Sequence, residues 1–97
     1  MYARVTTVSV QPDQVANVTR IYNESILPAV KAASGNRGVF LLINPATGVG
    51  VSITVWDSQA AGEAYDSSGS YREQVAKISA YFTGAPSLAT YEVAAQG

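Results

Sequence analysis

Aromatic side chains next to single polar groups are the residues of this sequence that could do chemistry. Trp56 could stack on a flat substrate while its indole N–H orients an oxygen atom. Arg72 could stabilise a developing phenolate or enolate, and its neighbour Tyr71 could donate a hydrogen bond or a proton. Each also has a structural interpretation, with Trp56 and Tyr71 as core aromatics and Arg72 as a solvated side chain beside Glu73. Both interpretations stay open at this level.

Three further aromatic residues are predicted to bind a substrate because of their positions in the chain. Tyr22 belongs to the apolar stripe of the first predicted helix, close to a kink that Pro28 should cause, and a kink opens space for a pocket. Tyr65 lies beside a predicted break between two helices, where it could line the mouth of a pocket or simply pack against its neighbours. Phe82 ends the apolar stripe of the last predicted helix, so we place it with the other two.

Two residue types that are absent exclude more enzyme classes than any motif supports. The chain has no histidine and no cysteine. It therefore cannot form a Ser-His-Asp triad, use a histidine base or a cysteine nucleophile, make a disulfide, or ligate zinc or haem iron through imidazole or thiolate. Its 7 carboxylate residues form no repeated cluster of the metal-ligand type. We expect no cofactor and no metal.

The charge balance excludes other partners and points to a covered surface. The net charge is −1 and there is no run of lysine or arginine, so we expect neither nucleic-acid nor membrane binding. No apolar segment approaches the roughly 18 residues of a membrane span. The N-terminus lacks the basic start and apolar core of a signal peptide, which predicts a cytoplasmic protein. Only 13% of the residues are charged, against roughly 25% in a typical soluble domain, so we predict that part of the surface does not face water.

Hydrophobic periodicity predicts six elements in the order strand, helix, strand, strand, helix, strand. Their predicted bounds are 2–10, 12–33, 39–43, 49–56, 59–82 and 88–94. Asp57 or Ser58 should cap the second helix, which should break at the serine- and glycine-rich segment 67–70 and restart with a capping box that begins at Ser70. The predicted fold is a single α+β domain over residues 1–97, ferredoxin-like β-α-β-β-α-β, with a four-stranded antiparallel sheet and both helices on one face.

The second face of that sheet has no helix to cover it. Every strand carries aliphatic or aromatic residues in at least part of that face. An exposed apolar face of this size would associate with other apolar surfaces. We therefore predict a homodimer in which two copies pack sheet against sheet. On the first strand, Arg4 should pair with Glu92 or Asp57, across the sheet or across the dimer.

Three sequence features resemble a known superfamily. A strand ends in Trp56 and continues as Asp57, a small residue and an alanine-rich helix. Arg37 and Gly38 lead into an apolar strand, and an Asn-Pro-Ala-Thr-Gly turn follows at 44–48. Together with the order of elements, these features look like the dimeric α+β barrel superfamily, and within it the antibiotic-biosynthesis monooxygenase-like domains. The resemblance spans nearly the whole chain.

The resemblance implies a homodimer with a pocket between the sheet and the helices of each subunit. Characterised enzymes of this branch oxidise polycyclic phenols with O₂ and no added cofactor, or degrade haem with a histidine ligand that this chain lacks. In the quinone-forming members an asparagine lies four residues before the tryptophan; here Ser52 takes that position and could donate one hydrogen bond. The predicted catalytic residues are then Trp56, Arg72 and Ser52, and the predicted substrate-binding residues are Tyr22, Tyr65, Tyr71 and Phe82.

The predicted function is that of a small-molecule pocket protein, a cofactor-independent monooxygenase-like enzyme that acts on a flat aromatic or quinol-like substrate. Two alternatives stay open: a ligand-binding or stress-associated homodimer without catalysis, and a structural dimer whose pocket is filled by its own side chains. An open pocket in which Arg72 and a hydroxyl converge would favour the enzyme. An open apolar pocket without polar groups would favour a protein that only binds a small hydrophobic or aromatic ligand.

Overall fold

The sheet contains four antiparallel strands. A computed structural model, which describes residues 1–97, gives their bounds as β1 Tyr2–Ser9, β2 Asn36–Ile43, β3 Val49–Trp56 and β4 Ser87–Glu92. Their spatial order is β2-β3-β1-β4, and every neighbouring pair is antiparallel. Helices connect β1 to β2 and β3 to β4, so the predicted ferredoxin-like β-α-β-β-α-β fold is confirmed.

The first helical segment changes its hydrogen-bond pattern in the middle. In chain order it consists of a 3₁₀ turn at Pro12–Gln14, helix α1 at Val15–Ile21, a π-helical turn at Tyr22–Ile26 and helix α2 at Leu27–Lys31. The Leu27 N–H donates to the Tyr22 carbonyl five residues back, which is the π pattern. Pro28 has no N–H for the Glu24 carbonyl, so the irregular turn lies where the sequence predicts an interruption.

The second helical segment is broken where the sequence predicts, but its second part begins earlier than expected. Helix α3 covers Gln59–Asp66 and helix α4 covers Gly69–Ala76. Ser58 caps α3, and Ser68 caps α4 by accepting a hydrogen bond from the Tyr71 N–H at 3.3 Å. The predicted capping box at Ser70 is therefore wrong by two residues, because the extended backbone that a cap requires lies at Ser68.

The prediction that the last helix reaches Phe82 is also wrong. Helix α4 ends at Ala76, and a 3₁₀ turn at Ser79–Tyr81 follows it. Phe82 has an extended backbone and forms an isolated antiparallel bridge with Val10. This long-range pairing ends the helical segment before the apolar periodicity of the sequence does.

Gly62 allows α3 to approach the sheet closely at the centre of the core. A Cβ atom at this position would lie 2.7 Å from a ring carbon of Tyr2 and 3.2 Å from Cδ1 of Trp56. Trp56 ends β3 and is fully buried. The close approach places Tyr65, one turn further along α3, against Trp56 with ring centroids 5.2 Å apart and an angle of 30° between the planes. The core around Trp56 also contains Tyr22, Ile26 and Val30.

The face of the sheet opposite the helices is apolar and uncovered in the single chain. Phe40 and Leu42 on β2 are 54% and 55% exposed, and Tyr91 on β4 is 59% exposed. Phe40 lies opposite Ile53, and Leu42 lies opposite Val51, so β3 extends the same apolar rows. We call this surface the outer face. None of the helices has the length and hydrophobicity that crossing a membrane requires.

Candidate functional site

A cavity of about 270 Å³ lies between the sheet and the helices. Its floor is made by alternate residues of β1 and β3, because alternate side chains of a strand point to the same face. Arg4 lies opposite Thr54, and Thr6 lies opposite Ser52, so four polar side chains form one patch of the floor. The volume is close to the lower end of the roughly 300–1,000 Å³ that is typical of ligand pockets. It suits a compact ligand.

Three tyrosines from three helical elements form the roof of the cavity. Tyr22 comes from the π-helical turn, Tyr65 from α3 and Tyr71 from α4. Tyr65 meets Tyr71 edge to face, with ring centroids 6.0 Å apart and planes at 80°. Phe82 adds a fourth aromatic ring to the lining. Flat aromatic surfaces of this kind fit a planar ligand.

A pair of hydroxyl groups connects the roof of the cavity to its floor. Tyr22 Oη lies 2.8 Å from Ser52 Oγ, and either oxygen can be the donor. Burial raises the pKa of Tyr22 above its ordinary value of 10.0; the hydrogen bond with Ser52 acts in the opposite direction, and the nearby Tyr65 raises the pKa further. Tyr22 therefore stays protonated near neutral pH, and its hydroxyl can donate a hydrogen bond.

Arg4 is the charged side chain of the cavity, although it is only 7% exposed. One of its terminal nitrogens forms an ion pair with Asp66, the last residue of α3. Its guanidinium carbon lies 5.5 Å from the ring centroid of Tyr71, within the range of a cation–π contact. The prediction that Arg4 pairs with Glu92 or Asp57 is wrong, because Arg4 extends toward the helices and the end of α3 lies above it.

Asp57, which the sequence predicts as a possible partner of Arg4, has a different partner. Asp57 forms an ion pair with Arg37, and both side chains are about half exposed. Exposed pairs of this kind contribute little to stability because water screens them. The ion pair of Arg4 with Asp66 differs from this exposed pair, because it is more buried and lies at the cavity.

The structure brings five of the seven predicted site residues to the cavity and leaves two outside it. Those that line the cavity are Ser52, Tyr22, Tyr65, Tyr71 and Phe82. Trp56 lies behind Tyr65, and its indole N–H donates to Thr54 Oγ1 at 3.0 Å. Arg72 is exposed and does not line the cavity. On α4 the residues that face the cavity recur at helical spacing, and Arg72 follows Tyr71 by about 100° around the helix, which turns it toward water.

Sequence reasoning missed three polar residues of the cavity, Thr6, Thr54 and Gln74, and assigned Arg4 a purely structural role. The available signal was the alternation of β1, which puts Arg4 and Thr6 on one face. The alternation does not say which face the helices cover. No three residues that ligate metals lie together, so the polar groups of the cavity are hydroxyls, one amide and one guanidinium.

Comparison with known proteins agrees with the fold. A model of the family described as antibiotic biosynthesis monooxygenase matches residues 1–77. A solved structure from Bordetella bronchiseptica, provisionally named an antibiotic biosynthesis monooxygenase, superposes with a TM-score of 0.82 at 17% identity and covers 94% of each chain. A protein of unknown function from Nitrosomonas europaea has a TM-score of 0.78 at 22% identity and covers 99% of this chain and 91% of that chain.

A third structure, from Deinococcus radiodurans and provisionally named in the same way, has a TM-score of 0.80 at 15% identity and covers 100% of this chain and 95% of that chain. No curated protein matches the chain. Identities this low establish the shared fold alone, whereas the family model spans most of the sequence. The chain belongs to the antibiotic biosynthesis monooxygenase family.

Proposed function

We propose that this protein oxidises a flat phenolic or quinol-like substrate with O₂ inside the cavity, without a protein-bound cofactor. In the balanced reaction, a phenol with a hydrogen on the ring carbon opposite its hydroxyl reacts with one O₂ and gives a quinone and one water. The substrate supplies all four electrons, one oxygen atom stays on the ring carbon, and the other leaves as water. The protein then contributes position, proton donation and charge stabilisation.

The observation that carries this proposal is a cavity lined by aromatic rings, with two hydroxyl groups in its wall that are hydrogen-bonded to each other. Tyr65 and Tyr71 present flat surfaces against which a planar ring can lie. Tyr22 and Ser52 share a hydrogen bond of 2.8 Å at the same cavity. Membership of the family supports a monooxygenase-like fold that binds small molecules. A cavity of this volume holds a substrate of one to a few fused rings.

Tyr22 is the proposed proton donor of the site. Because burial keeps its pKa high, its hydroxyl stays protonated and can hydrogen-bond to an oxygen atom as that atom is reduced. Ser52 fixes the direction of the Tyr22 hydroxyl through their shared hydrogen bond. Trp56 acts from behind the wall, where it holds Tyr65 in place by stacking. Arg72 is left out of the proposed mechanism because its side chain is exposed.

A second candidate is a homodimer that binds a ligand without chemistry. It is favoured by the composition of the lining, which contains no carboxylate and no imidazole to take a proton from a phenol. Under this alternative the same aromatic walls hold the ligand, and the Tyr22–Ser52 pair serves recognition alone. Substrates that are already ionised in solution therefore distinguish the two candidates most sharply.

We also propose that the protein is a homodimer joined through its outer face. Phe40, Leu42 and Tyr91 are each more than half exposed in the single chain. An apolar sheet face of this kind is stabilised when a second copy covers it, and two-fold pairing uses the same patch on both copies. Proteins of this family are typically dimeric, which supports the proposal.

Oxygen consumption tests the proposed oxidation. The purified protein is mixed with a panel of anthrone-like and naphthol-like substrates, and O₂ uptake is followed together with quinone absorbance. We expect one O₂ consumed for each quinone formed, and a loss of at least about 10-fold in Tyr22→Phe, since positioned proton donors typically contribute 10²–10⁴-fold. Tyr81→Phe removes the same hydroxyl from a residue that neither lines the cavity nor lies on the outer face, and it should keep the wild-type rate. Ligand binding without uptake above the buffer rate would favour the second candidate.

A further inference from the structure

Arg4 is a cation in a wall that is otherwise apolar or uncharged. A buried charge is costly unless it is paired and its donors are satisfied. Asp66 provides a counter-ion for Arg4, but its own side chain is 25% exposed and reaches one terminal nitrogen of the guanidinium. The Nε of Arg4 and the Oδ1 of Asp66 are both buried, and neither atom has a hydrogen-bond partner. The ion pair therefore neutralises both charges but leaves a donor of Arg4 and an acceptor of Asp66 without hydrogen bonds.

A second unpartnered group lines the same cavity. The hydroxyl of Tyr65 is buried and has no hydrogen-bond partner, and Tyr65 directly precedes Asp66 in the chain. Tyr71 links the two groups: its ring lies 5.5 Å from the guanidinium carbon of Arg4 and 6.0 Å from the ring of Tyr65, centroid to centroid. Buried polar groups without partners are rare in proteins, because each costs free energy that a partner would recover. Arg4 Nε and the Tyr65 hydroxyl are two such donors on residues that line the cavity, so a ligand that brings an acceptor can pair with both.

We propose that Arg4 and Tyr65 bind an anionic oxygen of the ligand, and that the ligand is therefore a planar arene with an ionised oxygen, either a phenolate or a carboxylate. The ring lies against Tyr71, and the oxygen accepts from Arg4 and from the Tyr65 hydroxyl. The inference names the substrate class of the proposed function and rests on the cavity being its ligand site. It assigns charge recognition to β1, whereas the sequence places that role on Arg72 of the last helix.

Asp66 competes with the ligand in this account. In the empty cavity Asp66 is the counter-ion of Arg4, and an incoming anion takes over the guanidinium. The Asp66 side chain is 25% exposed although its Oδ1 is buried, so its carboxylate reaches water by rotating away from Arg4 when it is displaced. Removal of the Asp66 charge should then tighten anion binding, and removal of the Arg4 charge should weaken it. A purely structural ion pair predicts the same direction for both changes, because either one would disturb the fold.

Calorimetric titration without O₂ tests this difference. The probes are 1-naphthoate and its neutral analogue 1-naphthamide, which have nearly the same shape. We expect wild type to bind naphthoate at least about 10-fold more tightly, and Arg4→Gln to lose about 10- to 100-fold for naphthoate with little change for naphthamide, as for a charge-assisted hydrogen bond. Asp66→Asn should bind naphthoate several-fold more tightly than wild type. Arg37→Gln removes an exposed arginine that is also paired with an aspartate, and should change neither affinity.

Several outcomes would overturn the inference. Equal affinity of wild type for the two probes would do so, and so would an Asp66→Asn variant that binds naphthoate more weakly. If Arg4→Gln fails to fold, the sign of the Asp66→Asn effect still decides. Tyr65→Phe removes one donor and should weaken naphthoate binding severalfold while the fold persists. An unchanged affinity in this variant would count against Tyr65 as a ligand contact.

A third probe, 1-naphthol, distinguishes the two sources of the anion. Its absorbance reports whether the bound molecule is ionised at a fixed pH near neutrality. Ionisation on binding supports a phenolate ligand, and naphthoate binding without naphthol ionisation supports a carboxylate ligand. Oxygen uptake is measured separately. If the protein binds naphthoate selectively but consumes no O₂, this inference stands and the proposed oxidation fails. If Arg4→Gln leaves O₂ uptake unchanged, the proposed oxidation stands and the inference about Arg4 fails.

Discussion

Gly62→Ala tests the packing that holds Tyr65 at the cavity. The new Cβ would lie 2.7 Å and 2.9 Å from two ring carbons of Tyr2 and 3.2 Å from Trp56 Cδ1, so α3 must move away from the sheet. Overpacking of this kind typically costs about 1–3 kcal/mol, and alanine recovers up to about 1 kcal/mol of helix propensity. We also expect weaker binding of 1-naphthoate, because Tyr65 moves together with α3.

Gly69→Ala is the matched control. Nothing lies within 4 Å of a Cβ at Gly69, and Gly69 also belongs to a helix. We expect Gly62→Ala to have a free energy of unfolding about 1–3 kcal/mol below that of Gly69→Ala. A domain of this size changes its melting temperature by about 4–8 °C per kcal/mol, so thermal melts at equal concentration should differ by at least about 4 °C. Equal melting temperatures would refute the close approach of α3 to Trp56.

Three further predictions concern the hydroxyl pair, the outer face and the helix cap. Tyr22→Phe should lower the free energy of unfolding by about 1 kcal/mol at neutral pH. Because the folded pKa of Tyr22 is raised above 10.0, wild type should lose stability as the pH rises above 10 through the folded pKa, and denaturant titrations of Tyr22→Phe should lack this loss. Phe40→Lys with Leu42→Lys should convert a dimer into a monomer of about 10.1 kDa in sedimentation; a wild type that is already monomeric would contradict the dimer. Ser68→Ala should cost about 1 kcal/mol and Ser70→Ala almost nothing, and the reverse order in denaturant titrations would contradict the observed cap.

The strands were predictable because their signals are local. β3 runs from Val49 to Trp56, as its alternation and the preceding turn predict. The end of the last helix was not predictable, because it depends on the bridge between Phe82 and Val10. The apolar periodicity continues to Phe82 in the sequence, and only the tertiary contact shows that the backbone there is extended.

The candidate site was predictable in its aromatic residues but not in its charge. Tyr22 and Tyr71 lie on helix faces that hydrophobic periodicity marks as inward, and Tyr65 lies beside the predicted break between two helices. A cavity between sheet and helices exposes all three. Arg4 gives no such signal, since alternation of β1 fits either face and its partner Asp66 is distant in sequence. The volume of the cavity depends on how closely whole helices approach the sheet, which is a property of the packed molecule.

A crystal structure of the wild-type protein with 1-naphthoate tests the central claim most directly. The account predicts the naphthalene ring in the cavity against Tyr71, with the carboxylate bound to Arg4 and to the Tyr65 hydroxyl, and Asp66 turned away from the guanidinium. A cavity that is closed by its own side chains, or a ligand whose carboxylate lies away from Arg4, would contradict it.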